Sequence, residues 1–402
     1  MRKNFFQKLQ KVKFNDILHI FLFIFAIVPS IIYKYTHEKF WLICEYEMEA
    51  RDNAFYFYQY MINHHPEQKV IYAINPKSYD YKRVNDIGQI VKYGSLMHWI
   101  LYLSADINIS SQKGGKPNAA ICYLLEVYGI LKNKRVFLQH GIIKDDLPYV
   151  HYKNAKFSMF TTSTKQEYDY VSQHFGYPKG IVKQVGLCRF DDLIDTSNSE
   201  IILVMPTWRE WIAHNDSENK QVEKTNDFKE TEYYQKWNTL LNSKELQRIL
   251  NEHNKILIFY PHRNMQPYLN NFIINNNRIK IANFPDYDVH ELLKSSSLLL
   301  TDYSSVAMDF AYLNKPIIYY QFDYDKFRKH HMEEGYFSYQ EDGFGEIEKE
   351  EKEIIKLIEE YIKNEYKVSK KYQERIDRFF DMIDNYNCER TYKEVLKLSD
   401  RN

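Results

Sequence analysis

The residues of this chain that are best placed for chemistry are polar side chains that directly follow short apolar runs. The run from Arg135 to Gln139 (RVFLQ) is followed by His140 and Gly141. A histidine titrates near neutral pH, so it suits removal of a proton from an attacking hydroxyl. The glycine allows a sharp turn or a close approach of substrate to the backbone. This position favours a functional role for His140 over a structural one.

A second place of this kind follows the run from Lys255 to Tyr260 (KILIFY), where Pro261 precedes His262 and Arg263. A histidine and an arginine at a strand end can donate to phosphate oxygens and stabilise charge in phosphoryl transfer. Together with His140 from the first half of the chain, they predict a cleft between two domains.

A third place is the segment from Leu298 to Ser305 (LLLTDYSS), which precedes a predicted helix. A strand, a short polar turn and a helix N-terminus can bind an anion through backbone N–H groups and the hydroxyls of Ser304 and Ser305. The same letters also satisfy a plain helix cap by Asp302 or Ser304. The residues alone leave both interpretations open.

Two further arginines, Arg189 in VGLCR and Arg209 in PTWR, could each clamp phosphate or serve as a surface ion-pair partner. The sequence contains no P-loop, dinucleotide-binding, zincin or nucleophile-elbow pattern. No carboxylate cluster predicts an obligatory metal. The four cysteines lie far apart without a CxxC pair, which argues against a zinc site and a disulfide framework and fits a reducing cytoplasm.

The elements that must position these residues alternate between predicted strands and helices. One such pair is a strand over 40–45 followed by a helix that Asp52 caps and that runs through Met61. The alternation restarts after a polar linker at 196–199, so we predict an α/β fold with two Rossmann-like lobes. In open α/β sheets, ligands bind outside the carboxyl ends of the strands.

The predicted domains are an N-terminal segment (1–39), a first lobe (40–195), a second lobe (196–375) and a C-terminal helix (376–402). The stretch 213–236 is polar and lacks an apolar period, which predicts a mobile loop.

Composition excludes some classes of protein. The 402 residues carry 54 Lys and Arg against 54 Asp and Glu, so no overall field favours a nucleic-acid partner. A hydrophobic content of 44% is typical of a globular protein and excludes wholesale disorder.

The N-terminus is strongly biased, with a basic stretch at 1–13 and an apolar run from Ile17 to Tyr33. A signal peptide lacks a small-residue cleavage site here. A spanning helix would be at the short limit of about 17–25 residues. A buried core helix is a further alternative. We favour a re-entrant or surface-lying membrane anchor, which keeps its basic flanks beside anionic lipid.

Taken together, these segments resemble the CDP-glycerol glycerophosphotransferase family of teichoic-acid and capsule synthesis. The resemblance covers roughly residues 40–345. Its carriers are FWLICEYEMEARDNAFYFYQY (40–60), LQHG (138–141), VGLCRFD (185–191), MPTWRE (205–210), YPHR (260–263) and LLLTDYSSVAMDFAYLNKPIIYYQFD (298–323). Two departures are Cys188, where a proline is expected, and GYFSYQEDGFGE (335–346), which leaves the polyol of the donor open.

The resemblance implies a GT-B-like fold and attack of a polyol hydroxyl on the β-phosphate of a CDP-polyol, with release of CMP. It implies that His140 is the general base and that His262 stabilises the diphosphate. It further implies phosphate contacts from Ser304 and Ser305, with Asp302 orienting their turn. The roles of Arg189 and Arg209 are less defined.

The implied partners are a CDP-glycerol or CDP-ribitol donor, a lipid-linked or polymeric acceptor and a membrane surface. A CDP donor places the enzyme at the cytoplasmic face of a bacterial membrane. No cofactor is obligatory, and Mg²⁺ is an optional helper. The oligomeric state is left open.

Two other functions fit the same fold, because fold alone does not determine function. One is a GT-B glycosyltransferase that uses a sugar nucleotide. The other is a membrane-anchored scaffold without turnover, which the intact His140, His262 and TDYSS set disfavours.

Overall fold

The computed structural model describes residues 14–214, 223–224 and 227–399. The strands are β1 (Trp41–Cys44), β2 (Val70–Ile74), β3 (Ile90–Lys92), β4 (Ile107–Ser110), β5 (Lys134–Phe137), β6 (Met159–Thr162), β7 (Val182–Gln184), β8 (Ile201–Met205), β9 (Ala213–His214), β10 (Glu223–Lys224), β11 (Ile256–Phe259), β12 (Ile279–Ile281), β13 (Ser296–Thr301), β14 (Ile317–Tyr320) and β15 (Gly345–Glu348).

The α-helices are α1 (Phe14–Thr36), α2 (Asn53–His64), α3 (Tyr81–Asn85), α4 (Leu96–Ser104), α5 (Ala119–Val127), α6 (Tyr152–Ala155), α7 (Lys165–His174), α8 (Glu232–Asn242), α9 (Lys244–Glu252), α10 (Val289–Ser295), α11 (Val306–Tyr312), α12 (Tyr324–His330), α13 (Tyr339–Asp342), α14 (Glu351–Lys363), α15 (Lys370–Phe379) and α16 (Asn387–Ser399). Short 3₁₀ helices lie at Pro148–Val150, Cys188–Asp192, Phe228–Glu230 and Arg263–Asn271.

The first lobe contains a seven-stranded sheet in the order β3-β2-β1-β4-β5-β6-β7. All its neighbouring strands are parallel. Every residue of β1 and β2 is buried, as expected for a parallel sheet covered by helices on both faces. Because the strands share one direction, their carboxyl ends share one edge, and the turn after β5 carries His140 to that edge.

The second lobe contains a six-stranded sheet in the order β12-β11-β8-β13-β14-β15, again with parallel neighbours. Its central strands β8 and β13 are almost entirely buried. Three segments leave the carboxyl edge of this sheet next to one another: PTWR (206–209) after β8, PHR (261–263) after β11 and DYSS (302–305) after β13. The fold therefore collects the predicted motifs of this lobe at one edge.

The end of the chain returns to the first lobe. In α16, the ring of Tyr392 lies 6.0 Å from that of Trp41 in β1. At the start of the same helix, the Cys388 N–H donates to Asp191 at 2.8 Å. The last described helix, α16, thus packs against the first lobe.

The helix α1 packs on the first lobe with one face only. On that face, Trp99 Nε1 donates to His19 Nδ1 at 2.9 Å, and Asn118 Nδ2 donates to Asp16 Oδ1 at 2.8 Å. The other face exposes large apolar side chains: Ile17, Leu18, Ile20, Phe21, Ile24, Phe25, Ile27, Val28, Ile31 and Ile32. By length and composition this helix could cross a membrane. A helix exposed to this extent does not fit the core-helix alternative.

The predicted α/β fold with two Rossmann-like lobes is confirmed, and so is the helix that Asp52 caps. The predicted loop over 213–236 is wrong for its described part. Residues 228–230 form a 3₁₀ helix, and α8 begins at Glu232. Phe228 and Tyr233 are buried in the core of the second lobe, and this burial holds the segment in place. Residues 215–222 and 225–226, and the basic stretch at 1–13, lie outside the described residues. The predicted domain boundaries stay predictions.

Candidate active site

The loop that carries His140 is fixed by hydrogen bonds from three directions. Asn53 Nδ2 donates to the Gln139 carbonyl at 2.9 Å, and Arg189 Nη1 donates to the His140 carbonyl at 2.5 Å. The Ile143 N–H donates to the buried carboxylate of Glu167 at 2.6 Å. Burial raises the pKa of Glu167 to about 7, although its backbone donors oppose this. The loop is therefore held rigidly at the edge of the sheet.

His140 forms a dyad with Asp52, since its Nδ1 lies 2.6 Å from Asp52 Oδ2. A carboxylate at this distance accepts the Nδ1 proton, which leaves Nε2 of the neutral ring as the basic nitrogen. The His140 side chain is 74% exposed, so Nε2 is accessible from the cleft. The negative charge of Asp52 raises the pKa of His140 above its ordinary value. This arrangement suits a general base.

Asp52 is held as a carboxylate by the charges around it. Burial alone would raise its pKa, but the positive charges of His140 and Arg189 outweigh burial and lower the pKa of Asp52. Gln112 Nε2 also donates to Asp52 Oδ2 at 2.9 Å. The acid is thus ionised and oriented towards the histidine.

Glu45, directly after β1, positions Asp52. Its buried carboxylate accepts the N–H groups of Arg51, Asp52 and Phe55 at 3.0, 3.1 and 2.8 Å. Burial and the nearby Asp52 raise the pKa of Glu45 well above its ordinary value. The positions of Asp52 and Glu45 beside His140 were not predicted from the sequence. The signal was present for Glu45, which follows an apolar run just as His140 does.

Arg189 joins the dyad to the second lobe. Its Nη1 lies 3.2 Å from Asp52 Oδ1, and its Nη2 lies 2.8 Å from Asp309 Oδ2 in α11. Burial raises the pKa of Asp309, although Arg189 opposes this. A Cβ at Gly141 would lie 3.4 Å from Ser305 Oγ and 3.6 Å from Arg189 Nη2. The loop that carries His140 therefore approaches the TDYSS turn directly across the cleft.

His262 lies on the second-lobe side of the cleft as a neutral hydrogen-bond donor. Its Nδ1 accepts the Asn264 N–H at 3.2 Å, so the proton of the neutral ring is on Nε2. Desolvation by the surrounding protein lowers the pKa of His262 to about 3, and the positive charge of His140 adds to this effect, while the side chain itself remains exposed to the cleft. The ring stacks on Trp208, with centroids 6.0 Å apart.

The Arg263 side chain contacts protein groups rather than standing free for a phosphate. It forms an ion pair with Glu49 of the first lobe, and its guanidinium lies 4.4 Å from the centre of the Phe284 ring. Its side chain is still 49% exposed. It therefore lies at the mouth of the cleft, and its predicted phosphate contact stays a prediction.

The TDYSS turn is ordered by Asp302, which is fully buried. Asp302 Oδ1 accepts the N–H groups of Thr207 and Tyr303 at 2.8 and 2.6 Å. Ser304 and Ser305 are partly exposed, and Ser305 has no capping hydrogen bond from its side chain within the described chain. Ser305 Oγ faces Gly141, while Ser304 Oγ accepts the Val306 N–H at 3.4 Å and keeps its own proton for donation.

Arg209 does not reach the cleft. Its side chain has 0% exposure and pairs with Asp302 at 2.9 Å and Asp323 at 2.8 Å. Burial opposes its charge, but these two acids raise the pKa of Arg209 further above its ordinary value. Neither predicted role fits this placement, because the guanidinium is neither at the surface nor open to a phosphate. Instead it holds Asp302, and through it the TDYSS turn.

The structure thus brings His140, Gly141, Arg189, His262, Ser304 and Ser305 to one cleft, with Arg263 at its mouth and Asp302 and Arg209 behind it. In the described ranges, no group of three or more His, Cys, Asp or Glu side chains could hold a metal ion. The arrangement can take a proton at His140 and donate hydrogen bonds to an anion from His262 and the two serines.

The chain matches a family model over residues 29–397, nearly its whole length. It belongs to the CDP-Glycerol:Poly(glycerophosphate) glycerophosphotransferase family. This confirms the resemblance carried by the six sequence segments. The match includes both lobes, α16 and the second part of α1.

Curated relatives agree with this family. The minor teichoic acid biosynthesis protein GgaB of Bacillus subtilis (strain 168) is 31% identical over 376 residues, which are 90% of this chain and 40% of GgaB. A teichoic acid poly(glycerol phosphate) polymerase of Staphylococcus epidermidis is 25% identical over 82% of this chain and 46% of its own length. The chain spans less than half the length of these two relatives.

Solved structures show the same fold. The wall teichoic acid polymerase TagF superposes with a TM-score of 0.65 at 17% identity, covering 96% of this chain and 97% of that one. The S. aureus MnaA–UDP structure superposes with a TM-score of 0.54 at 14% identity, covering 90% and 98%. Proteins with different names thus share the two-lobed architecture, and the fold alone does not identify the reaction.

Proposed function

We propose that this chain transfers a polyol-phosphate unit from a CDP-polyol to a hydroxyl of a membrane-linked polymer precursor and releases CMP. The observation that carries the proposal is the His140–Asp52 dyad, which leaves Nε2 of His140 free to take a proton opposite the donors His262 and Ser305. Family membership supports the CDP-activated donor.

The residues divide the reaction between the two lobes. The acceptor hydroxyl attacks the β-phosphorus of the donor while His140 Nε2 takes its proton. The bond from that phosphorus to the bridging oxygen breaks, and CMP leaves with the electron pair. Negative charge then grows on the diphosphate oxygens, where His262 Nε2–H and the hydroxyls of Ser304 and Ser305 donate hydrogen bonds. Arg189 keeps the base and the α11 side of the cleft in fixed positions.

The polyol is glycerol or ribitol. Relatives of this chain include teichoic acid poly(glycerol phosphate) and poly(ribitol-phosphate) polymerases, as well as glycerol-phosphate primases. One TagF structure with the same fold was soaked with CDPG. These names support both polyols, and they include primases as well as polymerases. The proposal needs no cofactor of the protein's own, and Mg²⁺ on the donor diphosphate is compatible with it.

The proposed location is the cytoplasmic face of the bacterial membrane, where CDP donors are present. The exposed apolar face of α1 supports membrane attachment. Ten large apolar side chains are exposed between Ile17 and Ile32, and a contiguous exposed apolar patch marks an interaction site. The helix fits an anchor that packs on the first lobe with one face and enters lipid with the other.

The test is CMP release from CDP-glycerol, CDP-ribitol and UDP-sugars, with membranes that contain lipid-linked acceptor. We expect CMP from one CDP-polyol, and about a 10²-fold or greater loss in His140→Ala. His174→Ala is the matched control, since His174 is exposed at the end of α7, outside the cleft. Turnover of a UDP-sugar with silence on every CDP-polyol would overturn the proposed chemistry in favour of a glycosyltransferase.

A further inference from the structure

The loop between β4 and α5, residues 111–118 (SQKGGKPN), connects the dyad to the membrane-associated helix. At one end, Gln112 Nε2 lies 2.9 Å from Asp52 Oδ2 and 3.1 Å from His140 Nδ1. At the other end, Asn118 donates to Asp16 of α1 at 2.8 Å. The loop therefore extends from α1 to the His140–Asp52 dyad.

The loop has a fixed shape because its backbone packs tightly against the end of β1. A Cβ at Gly115 would lie 2.1 Å from Ser110 Oγ and 2.8 Å from the Cys44 carbonyl oxygen, so only glycine fits. Ser110 Oγ also accepts the Gln112 N–H at 3.0 Å. Lys113 is thus presented from a rigid turn directly after the residue that contacts the dyad.

The Lys113 ammonium is held by a carbonyl oxygen and an aromatic ring. Its ammonium donates to the Tyr149 carbonyl at 2.8 Å and lies 5.1 Å from the centre of the Tyr123 ring. Across the described ranges, no carboxylate forms an ion pair with it. The side chain is only partly exposed, so the charge is also poorly solvated.

Two further cations lie near Lys113 and make the local charge more positive. Lys116 lies 2.6 Å from Glu126 Oε1, and Arg135 lies 2.7 Å from Glu126 Oε2, so two buried cations share one buried carboxylate. Lys113 adds a third cation to this group. Burial and the charges of Lys116 and Arg135 lower the pKa of Lys113 to about 8, although Glu126 opposes this. A bound anion would relieve the excess of positive charge.

We propose that Lys113 and its loop form a subsite for a phosphate of the acceptor, beside the terminal hydroxyl that His140 deprotonates. The inference rests on the proposed function and adds the acceptor side of it. In the proposed reaction, the donor diphosphate binds to the opposite lobe, at His262, Ser304 and Ser305. The shared chemistry is a phosphate ester or anhydride, which two parts of such an acceptor contain: the phosphodiesters of the polymer and the diphosphate of its lipid linkage.

The experiment measures binding to the full chain in nanodiscs by calorimetry with two probes. One probe is a water-soluble glycerol-phosphate hexamer without lipid, and the other is farnesyl diphosphate without polyol. Lys113→Gln is expected to weaken binding of at least one probe by about tenfold or more, as loss of a charge-assisted hydrogen bond to phosphate does. Lys113→Arg should stay within about threefold of the unmodified chain, because it retains the charge.

Two controls separate a local effect from a general one. Lys153→Gln removes an exposed lysine of the same lobe and should leave both affinities unchanged. CDP-glycerol affinity should be the same in all variants, which also shows that they are folded. Loss on the hexamer alone assigns the subsite to the polymer phosphodiester, and loss on farnesyl diphosphate alone assigns it to the lipid linkage. The inference would be overturned if neither probe binds. It would also be overturned if Lys113→Gln leaves the affinity unchanged for every probe that binds.

Failure of the inference and failure of the proposed function give different results. If CDP-polyols are turned over but the acceptor KM does not respond to Lys113→Gln, the function stands and the subsite is wrong. If Lys113-dependent phosphate binding is found without turnover of any CDP-polyol, the subsite stands and the proposed reaction is wrong.

Discussion

Arg189 and Asp309 form an ion pair across the cleft, with Arg189 Nη2 at 2.9 and 2.8 Å from the two carboxylate oxygens of Asp309. The same guanidinium bonds to Asp52 and to the His140 carbonyl through Nη1. One side chain therefore contacts His140, Asp52 and the helix that follows the TDYSS turn. Arg189 thus connects the His140–Asp52 dyad of the first lobe to α11 of the second lobe.

Arg189→Met should reduce stability as well as activity. It leaves Asp309 buried without its cation and Asp52 with His140 alone, and removal of one partner of a buried pair costs about 3–5 kcal/mol. Urea unfolding followed by fluorescence measures this loss. Arg189→Met combined with Asp309→Leu should recover part of it, since one stranded charge is gone. Equal stability of the single and double variants would show that the pair does not couple the lobes.

Asp52→Asn should change the pH dependence of transfer. Asp52 raises the pKa of His140, and His140 must be neutral to accept a proton, so kcat/KM of the unmodified enzyme should fall below a pKa above the ordinary value of about 6.5. The asparagine removes the negative charge, so the acidic limb should move to lower pH. The maximum should also drop by about 10–100-fold, because the ring loses its orientation. The pH profile of CMP release measures both effects, and an unmoved limb would remove Asp52 from this role.

Much of this site follows from the local sequence. The positions of His140, His262 and the TDYSS turn were predicted because an apolar run and the polar residue after it are neighbours in the chain. The parallel sheet then brings all such strand ends to one edge. The cap by Asp52 was predicted for the same reason, as it depends only on the helix that follows it.

The rest depends on contacts between distant residues, which local patterns do not specify. Asp52 and His140 are 88 positions apart. The residues around Asp52 therefore predict the helix cap, but they do not predict its contact with His140. Arg209 resembles a phosphate-binding residue in sequence, but it is buried against Asp302 and Asp323, which lie about a hundred residues further along the chain. Phe228 and Tyr233 order a polar segment because the core of the second lobe has space for them.

His262→Ala should lower transfer by about 10²-fold without changing the shape of the pH profile. The pKa of His262 is lowered to about 3, so the ring remains a neutral donor throughout the range in which the enzyme is assayed. Its loss then removes a hydrogen bond to the diphosphate and no titrating group. CMP release between pH 5 and 8 tests this. A variant whose acidic limb moves would identify His262 as a titrating participant instead.

Substitutions on the exposed face of α1 should release the protein from membranes without disturbing the fold. Deletion of the helix is a poor test, because it would uncover Trp99 and the rest of its packing surface on α4. Phe25 and Val28 are 66% and 64% exposed, so Phe25→Lys with Val28→Lys keeps the packed face intact. Flotation with zwitterionic vesicles should show loss of binding, since charged side chains are strongly disfavoured in lipid and an uncharged surface does not attract the added lysines. Ile273→Lys, at a 67% exposed position of the second lobe, is the matched control and should still float.

CMP release with a water-soluble acceptor should persist in the double variant, while release with lipid-linked acceptor should fall. Undiminished flotation of the double variant would show that this face of α1 does not attach the enzyme to lipid.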